Sequence, residues 1–163
     1  MRKIVILSVV ALFAYACGGG KKEKKYELKA DWTRIDSIMA RVTNELKMMG
    51  GDSGKFERFD NNIRQMVKLT VGEPTREVLP LNDFMAYVPV KMKEERFGDV
   101  LVDVAVTWDT TLYQVKGSDT VWGNFRVGGL YFRQLGDSAL YEMVKDPTTN
   151  LYRKQSVAPK VIQ

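Results

Sequence analysis

Between Val100 and Trp108 the chain alternates without a break. Val100, Val102, Val104, Val106 and Trp108 take one phase, and Leu101, Asp103, Ala105 and Thr107 the other. A period of two sends alternate side chains to opposite faces of a pleated strand, so this stretch predicts a strand with one wholly apolar face. Such a face must be covered by another layer, and that need sets much of what the rest of the chain has to supply. Further strands are predicted at residues 84–92, 111–116, 120–127, 130–135, 138–145 and 151–154, with Pro89 pushing the first towards an edge. Gly117-Ser118-Asp119, Gly128-Gly129, Gly136-Asp137 and Asp146-Pro147 separate them, all residues that turns use.

Upstream the period lengthens. Trp32, Ile35, Met39, Val42, Leu46 and Met49 recur at spacings of three and four, which lines them along one side of a helix. Asp31 is placed to cap its start and Gly50-Gly51 to end it. Phe56, Phe59, Ile63, Met66 and Thr70 repeat the spacing and predict a second helix ending at Gly72-Glu73-Pro74, with Asp60-Asn61-Asn62 as poor helix formers near its start. The expected fold is therefore α+β: an N-terminal helical hairpin packed on a mainly antiparallel, meandering β-sheet of about five to seven strands.

Two breaks give a register. A two-residue turn at Gly128-Gly129 would pair Val127 with Leu130 and Phe125 with Phe132, and one at Gly136-Asp137 would pair Phe132 with Tyr141 and Leu130 with Met143. Side chains directly opposite share a face, so Phe125, Val127, Leu130, Phe132, Tyr141 and Met143 form the expected core layer. The other face carries Trp122, Asn124, Arg126, Tyr131, Arg133 and Glu142. Trp122, Arg126, Tyr131 and Arg133 are the candidate partner-binding residues, because Trp, Tyr and Arg are enriched at the energetic centres of interfaces. A second sheet or a folded-back terminus would equally cover that face.

The N-terminus speaks to location. Arg2 and Lys3 precede an apolar run from Ile4 to Ala16, followed by Cys17-Gly18-Gly19-Gly20. A basic end, a short apolar segment, small residues at Ala14 and Ala16 and then cysteine resemble a bacterial lipoprotein signal. The run falls short of the roughly 20 apolar residues a membrane span needs. The resemblance implies cleavage before Cys17 and lipidation of its thiol, and so a membrane partner through Cys17. It divides the chain into a signal at 1–16, a lipidated Gly/Lys-rich tether at 17–29 and one α+β domain at 30–163. Gly18 directly after the cysteine implies the outer membrane, periplasmic face. Cys17 is the one cysteine in the chain, so the domain has no disulfide and no thiol nucleophile.

The formal charge of +5 changes meaning once divided. The tether carries five lysines against Glu23 and Glu27, whereas residues 30–163 balance 18 basic against 18 acidic side chains. No nucleic-acid partner is expected of a neutral domain. The tether lysines suit an anionic leaflet at about 1 kcal/mol each.

There is no histidine, which removes Ser-His-Asp chemistry and the usual zinc sites. Gly50-Gly-Asp-Ser-Gly-Lys55 fails as a phosphate loop, because Met49 stands where its first glycine belongs and Phe56 where its Ser/Thr does. No catalytic residue, metal site or cofactor is nominated. Asp36-Ser37-Ile38, Asp109-Thr110-Thr111, Asp119-Thr120-Val121 and Asp137-Ser138-Ala139 resemble the sites that Bacteroidetes O-glycosylate on exported proteins, although turns use the same residues. The expected function is that of a non-enzymatic binding or scaffold subunit of a cell-envelope assembly, such as a secretion or motility machine, with an envelope protein as partner. The alternatives are a carrier or sensor with a small-molecule ligand between helices and sheet, and a carboxylate-dependent hydrolase of cell-wall glycans.

Overall fold

The computed structural model describes residues 25–26, 29–61, 63–116 and 119–157, without the side chains of 25–26 and 112–123. Cys17, the signal and most of the tether lie outside the described residues. The elements in order are β1 (Lys25–Tyr26), α1 (Ile35–Gly50), β2 (Lys55–Asp60), β3 (Gln65–Thr70), β4 (Leu79–Pro80), β5 (Met85–Glu94), β6 (Gly98–Lys116), β7 (Asp119–Leu135), β8 (Ser138–Ala139), β9 (Tyr141–Lys145) and β10 (Tyr152–Ser156). The fold is α+β and largely sheet. The main sheet has eight strands in the order β1-β7-β6-β5-β3-β2, with the short β4 on β5 and β8 on β7, while β9 and β10 form a separate two-stranded sheet. All pairings are antiparallel except β1 with β7.

The first helix forms where its periodicity places it. Ile38, Met39, Val42 and Leu46 are buried against the sheet. Asp31 does not cap it: its carboxylate accepts from the Thr33 amide and hydroxyl, and the helix starts only after Arg34. Gly51 ends it at φ +53°, a left-handed conformation in which glycine has no Cβ to clash.

The second expected helix, residues 56–70, is instead the β2–β3 hairpin, so the N-terminal helical hairpin is corrected to one helix followed by two strands. A hairpin can imitate helical spacing. Phe59 and Met66 are cross-strand partners seven residues apart, the separation of two helical turns. The poor helix formers decide between the two. Asp60 uses its carboxylate to accept the Ile63 amide at 2.9 Å, and Arg64 takes φ +53°, so this stretch closes a turn.

The expected turn at Gly128-Gly129 is also corrected. β7 runs straight through it, and Val104 pairs with Leu130 while Val106 pairs with Val127, leaving both glycines opposite Ala105. This is a β-bulge, and neither glycine takes the positive φ that a type I′ turn requires. One extra residue flips the alternation, so Phe125, Val127, Leu130 and Phe132 share the helix-facing side as expected, but beside β6 rather than beside each other. A second shift at Phe132-Arg133 returns Leu135 to the core and leaves Arg133 on the other face.

The turn at Gly136-Asp137 forms, with Leu135 paired to Ser138. The chain then departs from the expected register. After two residues of β8 it leaves the main sheet, and Tyr141 and Met143 join β9 on the far face instead of pairing with Phe132 and Leu130. The result is three layers: α1, the main sheet, and the β9–β10 hairpin over part of the sheet's outer face. The inner layer is filled by side chains from both sides, among them Ile38, Val42 and Leu46 against Val88, Val102, Val104 and Phe132, each at most 1% exposed.

Candidate functional site

The site lies where β9–β10 covers the outer face, and it is organised by Asp103. That residue occupies the minor phase of the β6 alternation and is fully buried. A buried carboxylate without partners would cost several kcal/mol, so its surroundings must supply donors. Arg133, placed outward by the β7 bulge, donates from Nε to Oδ2 at 2.9 Å and from Nη2 to Oδ1 at 2.5 Å. The Tyr141 hydroxyl donates to Oδ2 at 2.7 Å. Burial, then the bond to Asp103, pushes the Tyr141 phenol far above its ordinary range. Burial, helped by Tyr131 and Asp103, lifts Tyr87 to about 12. Neither tyrosine releases a proton readily, so the cluster holds charge rather than shuttling it.

Three of these rings surround a cation. Lys154 Nζ, on β10, lies 4.2 Å from the Tyr131 ring centroid, 4.5 Å from Tyr141 and 4.9 Å from Tyr87. Tyr87 and Tyr131 also contact each other, with centroids 5.4 Å apart. Burial lowers the Lys154 pKa, and the Asp103 charge works against that shift. The ring faces supply part of the stabilisation that water would otherwise give the ammonium. The cage fastens β10 to the sheet.

Beside this cluster opens a groove of about 340 Å³, lined by Glu77, Val78, Leu79, Arg133, Met143 and Tyr152. One wall is the segment entering β4, the other is β9–β10, and Arg133 links the groove to the buried cluster. Leu79 packs with Tyr87 and Ala105, joined by Met143 and Tyr152, as a small second core.

Of the four residues expected to form a contact face, Tyr131 and Arg133 stand together in the Asp103 cluster, and Arg126 lies farther along the same strand, opposite Thr107. Arg133 is committed to Asp103, with its side chain 17% exposed. Tyr131 is 43% exposed and forms one side of the Lys154 cage. Arg126 is exposed and paired with Asp109 at 3.1 Å. The Trp122 backbone lies between Tyr113 and Tyr26, and its side chain is outside those described. A second sheet covers part of this face, the alternative the sequence had left open.

Asp103, Tyr87, Tyr141 and Lys154 were not foreseen as a group. The available signal was a single carboxylate between Leu101 and Ala105 in the polar phase of an otherwise apolar strand. Among the described residues no three His, Cys, Asp or Glu side chains stand close enough to hold a metal ion, and no helix is long and apolar enough to cross a membrane. Comparison with protein-family models, with curated proteins and with solved structures returns no match, so the site rests on this chain's own geometry.

Proposed function

We propose that this chain is a lipid-anchored protein of the periplasmic face of the outer membrane that works by binding, as a non-enzymatic subunit of an envelope assembly such as a secretion or motility machine. The observation that carries this reading is the opposite placement of the tether and an exposed apolar pair. The tether enters at β1, on one sheet edge, beside Val121 and Trp122. From Trp122, β7 continues to Leu135, roughly 40 Å of strand at about 3.3 Å per residue. Beyond that end, on the opposite edge, β2 and β3 hold Phe59 and Met66 side by side, each 51% exposed. Adjacent exposed Phe and Met on a strand pair are costly to solvate and suit burial against another protein. Anchored at β1, the protein carries that pair away from its own membrane.

The alternatives have less support. A ligand between helix and sheet would need space that Ile38, Val42 and Leu46 fill. A glycan hydrolase would need two carboxylates flanking its substrate, and the groove is lined by one, Glu77.

The test is a mild-detergent pull-down of the full-length protein from its own cells, against Cys17→Ala and against Phe59→Ser with Met66→Ser. A stoichiometric envelope partner held by the wild type and lost with the double variant is the expected result. Recovery unaffected by the double variant but lost with Arg126→Glu and Tyr131→Ala would move the contact to the other exposed residues. Wild-type protein recovered alone would end the scaffold reading.

A further inference from the structure

We propose that Arg96 is the positioning residue of the Phe59–Met66 contact, a brace that holds the hairpin carrying the pair in its binding geometry. The inference rests on the reading of that pair as a partner surface and names what presets it.

The hairpin needs a brace because it outruns its sheet. β3 pairs with β5 at Leu69 and Thr70, opposite Glu94 and Lys93, and β5 ends at Glu94. Gln65 to Lys68, with Glu57 to Asp60 of β2 beside them, therefore continue past the end of β5. Phe59 and Met66 both lie in this overhang, and two strands with no third beside them hold their shape poorly in water. Val67, fully buried, and Ile63 in the turn pack its inner face on the core. Apolar packing is not directional, so it resists lifting the hairpin away more than it resists tilting it.

The β5–β6 turn supplies the missing direction. Glu94, with its side chain 1% exposed, accepts the amides of Arg96 at 2.6 Å and Phe97 at 2.9 Å, which fixes the turn, and more distantly the Lys68 amide of the overhang at 3.5 Å. Arg96 then reaches across. Its Nε donates to Glu94 Oε1 at 3.3 Å, Nη1 to Gln65 Oε1 at 2.5 Å and Nη2 to the Met66 carbonyl at 3.0 Å. The guanidinium stands 5.2 Å from the Phe97 ring centroid, and Phe97 packs against the main core. A planar fork bonded at all three nitrogens has one orientation, so the Met66 backbone is tied through Arg96 to the turn and the core. A lysine there would keep the charge but could not span Glu94, Gln65 and Met66 together. Holding a contact surface in its bound shape before the partner arrives spares the ordering cost of binding.

The test measures nitrogen-15 relaxation on the full-length protein in mild detergent for wild type, Arg96→Ala and Arg96→Lys, together with the envelope protein that each recovers from its own cells at limiting bait. The Arg96 side chain is 47% exposed and Glu94 keeps its amide donors without it, so both variants should fold. In wild type the amides of residues 57–60 and 65–68 should share an order parameter of about 0.85 with β6, and Arg96→Ala should lower theirs towards about 0.6 while α1 and β6 stay unchanged. With the binding shape then populated about one time in ten, recovery should fall about tenfold. Arg96→Lys should resemble Arg96→Ala, because it lacks the fork and not the charge. Unchanged order parameters in Arg96→Ala, or a loosened hairpin that recovers as much partner as wild type, would overturn the brace and leave the contact in place. Wild-type protein that recovers no partner, or Phe59→Ser with Met66→Ser that recovers as much as wild type, would instead end the reading of the pair, and this inference with it.

Discussion

Replacing Tyr141 by Phe removes one hydroxyl and should reveal how the buried cluster is balanced. The hydroxyl donates to Asp103 Oδ2 at 2.7 Å inside a fully buried site. Asp103 keeps both bonds from Arg133, so neither carboxylate oxygen is orphaned. The loss is then that of one hydrogen bond to a charged group, about 2 kcal/mol. For a domain of this size that corresponds to a melting temperature lower by roughly 8 °C. Arg133→Met should cost more, about 3–5 kcal/mol, because it leaves a buried charge uncompensated. Urea titrations give the two values directly. The pH dependence supplies a second readout. Tyr141 and Tyr87 have raised folded pKa values, so the folded protein keeps protons that the unfolded chain has released. Their stabilisation is complete below about pH 10 and is lost as pH rises towards the folded values, by about 1.4 kcal/mol per pH unit for each proton retained. Lys154, whose pKa burial lowers, acts in the opposite sense only up to about pH 10.4, so the window is from about pH 10.5 to 12. In that window Tyr141→Phe should reduce the slope by one proton. A variant within about 0.5 kcal/mol of wild type and with an unchanged alkaline slope would refute the assignment of this bond.

Three further outcomes follow from the backbone and from a second buried carboxylate. Gly128→Ala should change stability by less than about 0.5 kcal/mol by denaturant titration, since its φ is negative and a Cβ there meets Ala105 no closer than 3.8 Å; a loss above about 2 kcal/mol would mean a tight turn after all. Gly72→Ala should lose more than about 3 kcal/mol or fail to fold, because its Cβ would stand 1.6 Å from the Lys91 carbonyl oxygen, and soluble wild-type-like protein would contradict that close approach. Burial alone would raise the Glu94 pKa, but the amides of Phe97, Arg96 and Lys68 and the Arg96 side chain together hold it below its usual range. Its stabilisation is present above the unfolded value of about 4.3 and disappears as pH falls through the lower folded value, so Glu94→Gln should flatten the acid limb of a stability–pH curve, and an unaltered limb would exclude the role.

The parts of the fold written in the sequence are those where one face meets one environment. The helix-facing phase of Val100 to Trp108 and the stripe from Met39 to Leu46 read correctly by period alone, whereas the burial of Asp103 and Ala105 on the strand's other face did not show in the period. Phe56 to Thr70 misled because a hairpin register and a helical repeat both bring residues seven apart together, and the turn chemistry of Asp60 to Asn62 carried the deciding information. Gly128-Gly129 misled in the opposite way. Bulge and turn make the same change of parity, so the core face was right while the connectivity was wrong. Sharing a face was legible; which strand lies alongside was not, because that depends on partners far away in the chain. The site followed the same division. Arg133 and Tyr131 were picked out by residue type, but their partners Asp103, Tyr141 and Lys154 lie 8 to 51 residues from them and from one another in sequence; the β6–β7 pairing sets Asp103 beside Tyr131 and Arg133, and the departure of β9 from the main sheet adds Tyr141 and Lys154.

The brevity of β1 has a mechanical consequence on the proposed anchoring at Cys17. Any pull on Cys17 reaches the described fold first at Lys25–Tyr26, two residues bonded in parallel to the outer strand of the sheet. β7 does not need β1 to stay in place, since it is paired along its length with β6. Under load β1 can therefore peel away before α1 or the sheet gives, adding several residues of slack at about 3.3 Å each. On the proposed anchoring, β1 would serve as a breakaway link ahead of the rest of the fold.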